Sequence, residues 1–110
     1  GNVYSNFAKA SITESKNTLT PEFTVVFDKD IGAVTSPKSF DVKVTSGTTT
    51  VAASIDDFNV VYTPNTMKVS LKNKTLTDGK TYTVTINKLV SSTDVAVIST
   101  SYTFTVKLTQ

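Results

Sequence analysis

Apolar and polar residues alternate with a period of two through most of the chain, the pattern of a strand with one face buried and the other wet. In "EFTVVFD" the apolar set is Phe23, Val25 and Phe27. In "SFDVKVT" it is Phe40, Val42 and Val44, with Asp41 and Lys43 turned to water. "TMKVSLK" sets Met67, Val69 and Leu71 against Lys68, Ser70 and Lys72, and "TYTVTIN" sets Tyr82, Val84 and Ile86 against threonines. "SYTFTVKL" places Tyr102, Phe104, Val106 and Leu108 on one face. Two segments are weaker. "AKASITE" puts Ala8, Ala10 and Ile12 on one face. Residues 51–62 alternate in two registers, first Val51, Ala53 and Ile55, then Phe58, Val60 and Tyr62, which reads as a hairpin or a bulged, bent strand. No stretch carries the 3.6-residue period of an amphipathic helix.

Turn signals punctuate these runs at Pro21, Pro37, Gly47, Pro64 and Gly79. Short antiparallel strands, each with one apolar face, need two sheets packed face to face, since a single sheet would leave its apolar face in water. The expectation is an all-β sandwich of about seven antiparallel strands. It forms one domain over residues 1–110, with residues 1–7 read as a linker or tag remnant. An odd number of strands between Ala8 and Leu108 sends the chain in at one pole and out at the other, roughly 25–35 Å away.

Composition removes chemistry more than it adds any. The 110 residues suit one domain with an ordinary core. There is no cysteine, hence no disulfide or thiolate site, and no histidine, the commonest general base and zinc ligand. All the basic residues are lysine, and the net charge is only +2. Without arginine or a basic cluster beyond Lys72 and Lys74, no nucleic-acid partner is expected. No run approaches the ~18 apolar residues of a membrane-spanning helix, so membrane insertion is not expected either.

Asp28 with Asp30, and Asp56 with Asp57, are the only acidic pairs dense enough to suggest a hard cation. Calcium needs six or more converging oxygens, and no ligand spacing of that kind is present. The four carboxylates are read as solvated turn residues and as the first suspects for calcium. No metal, cofactor or catalytic group is expected. No serine, lysine or aspartate stands at a spacing that suggests a nucleophile with its base. Tyr4 and Phe7 are the aromatics outside the alternation. "NKT" at Asn73 fits a glycosylation acceptor by its three letters alone.

Tyr82 stands at the start of the penultimate strand, after "LTDGKT". In immunoglobulin-like sandwiches a tyrosine at this corner turns its hydroxyl back to the backbone a few residues upstream. Leu76 would plug the core beneath the crossing, and Gly79 would supply the turn. The segment "LTDGKTYTVTI" resembles the corner of bacterial immunoglobulin-like domains strung in tandem on adhesins, surface-layer proteins and multidomain glycoside hydrolases. "FTVVFDKDI" is similar to a second family pattern through Phe27, Asp28, Lys29 and Ile31, with Asp30 where the family often has proline. The closing "YTFTVK" resembles the family's last strand. The likeness spans about residues 20–107; "KLVSSTDVAVIST" departs from it and could add a short strand.

The resemblance implies an immunoglobulin-like β-sandwich acting as a non-catalytic spacer in a larger surface-layer or cell-wall protein, extracellular and monomeric in isolation. Its partners would be neighbouring domains of the same chain or surface-protein subunits. An adhesion or ligand-binding module, or an accessory domain of a carbohydrate-active enzyme, are the alternatives. The Lys-rich, Arg-free composition leans towards a low-GC Gram-positive source.

Overall fold

The computed structural model describes residues 6–31 and 37–107, so Tyr4 and Leu108 lie outside the described residues. The strands are β1 (Phe7–Ala8), β2 (Ala10–Lys16), β3 (Glu22–Phe27), β4 (Ser39–Ser46), β5 (Thr49–Ala52), β6 (Phe58–Thr63), β7 (Thr66–Leu71), β8 (Thr81–Val90), β9 (Ala96–Val97) and β10 (Thr100–Thr105). A single 3-10 turn at Ile55–Asp57 is the helical element among the described residues.

Two sheets form. One has the order β2-β3-β7-β6. In the other, β8 is central, with β4 and then β5 beyond one edge. Its second edge is shared by β10, along Thr81–Ile86, and by β9, at Leu89–Val90. β1 adds to β9 in parallel, and every other pairing is antiparallel.

The inward residues of both sheets make one core. Phe23 of β3 meets Phe104 of β10 edge-on at 5.1 Å between ring centres, and Phe40 of β4 meets Phe58 of β6 at 6.0 Å. Aromatic pairs at these distances favour such tilted geometry over a flat stack. Val25, Val42, Val44, Met67 and Ile86 fill the centre, and Val106, just beyond β10, is fully buried. The β4–β5 hairpin turns through Gly47 at φ +59°, where a left-handed first turn residue matches the twist of the flanking strands.

Three expectations change. The described residues form ten strands instead of about seven, because two segments divide and a third adds a strand. Ala8 and Ala10 belong to opposite sheets: β1 lies against β9 and β2 against β3, with Lys9 at the crossing. Phe7 is in the first strand; residues 1–5 of the stretch read as a linker lie outside the described residues. Residues 51–62 make neither a hairpin nor one bent strand. β5 ends the β8 sheet, the 3-10 turn crosses the gap, and β6 ends the other sheet. Ala52, not Ala53 or Ile55, is the buried residue of the first register. The break in alternation at Asp56–Asp57 marks a change of sheet. The "KLVSSTDVAVIST" segment does add a short strand, β9.

The registers locate the two ends of the described chain. Phe7 lies level with Ala96, which pairs with Val90 at the end of β8, whereas Thr105 pairs with Thr81 at its start. At ~3.3 Å per residue those two levels are about 30 Å apart. The molecule extends 44 × 25 × 21 Å.

Candidate functional site

Tyr82 is buried at the start of β8, and its hydroxyl accepts the Thr77 N–H at 2.9 Å. That bond fixes the loop crossing from β7 to β8. Leu76 is buried beneath it, with its N–H donated to Leu19 O at 2.7 Å. Gly79 sits at φ +84° with open space where a Cβ would be, so the conformation and not crowding calls for glycine. Its N–H donates to Val106 O at 2.8 Å, and Val106 N–H donates to Lys80 O. The corner thus ties the chain's last strand to the crossing loop.

A second tie had no local signal in the sequence. The Asn17 side-chain amide donates to Thr105 O at 3.0 Å and accepts the Lys107 N–H at 3.1 Å. One primary amide serves here as a substitute strand residue, pairing the end of β10 from the β2–β3 loop. Nearby, Tyr102 donates its hydroxyl to Glu14 Oε1 at 3.1 Å, joining the two sheets. Burial and the adjacent carboxylate push the Tyr102 phenol above its ordinary range. On the outer face of β8, Thr81 and Thr83 pair with Thr105 and Thr103 through hydroxyl contacts of 2.8 and 2.9 Å.

The acidic pairs stand apart. Asp28 follows β3 beside the β6–β7 turn, where its Oδ1 accepts the Lys9 N–H at 2.9 Å. Asp57 lies at the far end of β7, with its carbonyl accepting the Lys72 N–H. The length of β7, about 17 Å, separates the two pairs. Among the described residues no three acidic side chains converge on a point that could hold a metal. The Asp57 carboxylate acts locally, accepting the Ala53 and Ser54 N–H groups, both at 3.1 Å, while Ser54 Oγ accepts the Asp56 N–H. This reciprocal cap starts the 3-10 turn. The two backbone donors hold the Asp57 carboxyl below the usual carboxylate range.

At the opposite pole, Ser91 is a buried polar residue. Its Oγ accepts the Thr93 and Val95 N–H groups, and Thr93 Oγ1 donates to Ile31 O at 3.2 Å. Lys38 and Asp94 pair at 2.6 Å on the surface, an exposed contact of little energetic weight. Asn73 sits at φ +61° in the loop after β7, and Lys72 and Lys74 flank it on the surface. These are turn-building roles. What the candidate residues can do together is hold strands and loops in place; they offer no nucleophile aligned with a base. Comparison of the chain with family models, curated proteins and solved structures finds no match.

Proposed function

We propose that this chain is an immunoglobulin-like spacer module of a larger bacterial cell-surface protein, non-catalytic and free of cofactor. The observation that carries the reading is the placement of the first and last described strands: Phe7 lies level with Val90 and Thr105 level with Thr81, and β1 and β10 run the same way. A module built so adds its length to a tandem array.

The strand order supports the immunoglobulin-like part. β2-β3-β7-β6 and β10-β8-β4-β5 follow the sequence of neighbours in an immunoglobulin sandwich of ABED and GFC sheets with one added edge strand. Tyr82 then stands at the start of strand F of that scheme, and buried Val84 takes the place, two residues on, where antibody domains carry their second cysteine. Cell-surface location rests on the resemblance of the corner and of "FTVVFDKDI".

Tandem chains of one, two and three copies, measured by small-angle scattering, test the spacer reading. The maximum dimension should grow by about one domain length, of the order of the 44 Å long axis, with each copy. A maximum dimension that stays near the single-copy value would defeat it.

A further inference from the structure

A sheet edge presents unpaired N–H and C=O groups, and soluble proteins guard such edges with charge, proline, bulges, short strands or a covering segment. Among the described residues three of the four edges are guarded. β2 has a bulge between Glu14 and Lys16, and Glu14 points inward. β5 is short, Thr49–Ala52, and a bulge disturbs its pairing at Val44/Thr45. The β10 edge is held at one end by the Asn17 amide and continued at the other by β9 and β1.

Among the described residues β6 has none of these devices. "FNVVYT" contains no charge and no proline, and its register with β7 is unbroken from Phe58 to Thr63. Val61 is 61% exposed, the most exposed of the large apolar residues described. The Lys72 N–H bond to Asp57 O fixes the phase of the ladder, so Asn59, Val61 and Thr63 turn their backbone groups to β7. Val60 and Tyr62 therefore turn theirs outward. Among the described residues, none beyond β7 bonds them.

We propose that the β6 edge is an interaction surface, and that its partner is β6 of a second copy of this chain, paired antiparallel about a two-fold axis at Val61. The register follows from the backbone. With Val61 opposite its own copy, Val60 and Tyr62 of one chain exchange both bonds with Tyr62 and Val60 of the other, and no free group of the pair is left over. Shifting the axis to Val60 would oppose Tyr62 to Phe58, whose N–H is already donated to Ile55 O. A neutral strand sets no like charges against each other on self-pairing. The two Val61 side chains cover one another, and the closed two-fold uses up the open edge, so association stops at a dimer. This departs from the monomer expected from the sequence and does not depend on the spacer reading.

Because one strand pair covers less than the ~1,200 Å² of a standard interface, association is half-complete on the order of 0.1–1 mM. Sedimentation equilibrium of the 110-residue chain from about 10 µM to about 2 mM should show a monomer–dimer equilibrium in that range. Val61→Lys, which sets like charges opposite each other at the axis, should weaken it by about tenfold or more. Amide hydrogen exchange on the unaltered chain gives a second reading independent of that variant's folding. Protection at Val60 and Tyr62 should rise with protein concentration, while Val61, already bonded to β7, should not change. A chain that stays monomeric to about 2 mM, a Val61→Lys variant that associates as well as its parent while folded, or Val60 and Tyr62 amides unprotected in the dimer would each overturn the proposal.

Discussion

The two long sides of the sandwich are built differently. Where β2 and β10 approach each other, side chains stitch the sheets: Asn17 holds Thr105 and Lys107, Tyr102 donates to Glu14, and Tyr82 pins Thr77 close by. Where β5 and β6 end their sheets, closure rests on apolar contact such as Phe40 on Phe58. There the Tyr62 hydroxyl is buried with no hydrogen-bond partner, as is Glu14 Oε2 on the stitched side. The contrast teaches that the apolar core alone suffices to bring two sheets together. Polar side chains are placed where the chain's last strand must be kept from peeling away.

Deleting a stitch should cost more than changing anything polar on the other side. Asn17→Ala leaves the Thr105 carbonyl and the Lys107 N–H without their protein partner and should lower unfolding free energy by about 2 kcal/mol. Urea denaturation checks it; an unchanged midpoint would mean that water replaces the amide at no cost. Tyr82→Phe removes one acceptor and keeps the ring, so the loss should be about 1–1.5 kcal/mol, and equal midpoints would break the corner assignment. Gly79→Ala, strained at φ +84°, should cost about 1 kcal/mol by the same assay, and a neutral result would show that the corner relaxes.

Tyr62→Phe should act in the opposite direction, raising stability by a few tenths of a kcal/mol or more, because the hydroxyl it deletes is buried without a partner. The same residue gives a pH signature. Burial pushes the Tyr62 phenol up to about 12, above the ~10 of an unfolded chain, so the neutral form is favoured in the fold. That contribution is fully present below pH ~10 and is lost as pH rises through about 12. Urea midpoints compared at about pH 9 and about pH 11 should therefore fall more for the parent than for Tyr62→Phe. Equal falls would place the alkaline sensitivity elsewhere, with Tyr102 next in line. The smallest effect should come from calcium. With Asp28 and Asp57 at opposite ends of β7, chelator should leave the melting temperature unchanged, whereas a shift of several degrees would require a site on one side alone.

Strands β3, β4, β7 and β8 were legible because each alternates cleanly and lies with one face on the core. The corner was legible too, since Leu76, Gly79 and Tyr82 act within a few residues of one another. What could not be read is what depends on distant sequence. Asn17 looks like any loop asparagine until β10 arrives beside it. Glu14 interrupts the apolar face of β2 and looks like a misplaced polar residue until Tyr102 meets it. The crossing after Ala52 hides in a stretch whose two registers suit a hairpin as well as a change of sheet; only the position of β4 and β7 decides between them.

The direction of β1 has a mechanical consequence. β1 runs parallel to β9, and β10 antiparallel to β8, so tension applied through the two ends pulls both strands along their own axes and in opposite senses. Hydrogen bonds across a strand pulled lengthwise share the force and must give way together. Bonds of a strand pulled sideways open one at a time. Tension between the ends therefore loads the six-residue β10–β8 pairing in shear, as it does the shorter β1–β9 pairing. The Asn17 amide, clasping the trailing end of β10, lies directly in the path of that force.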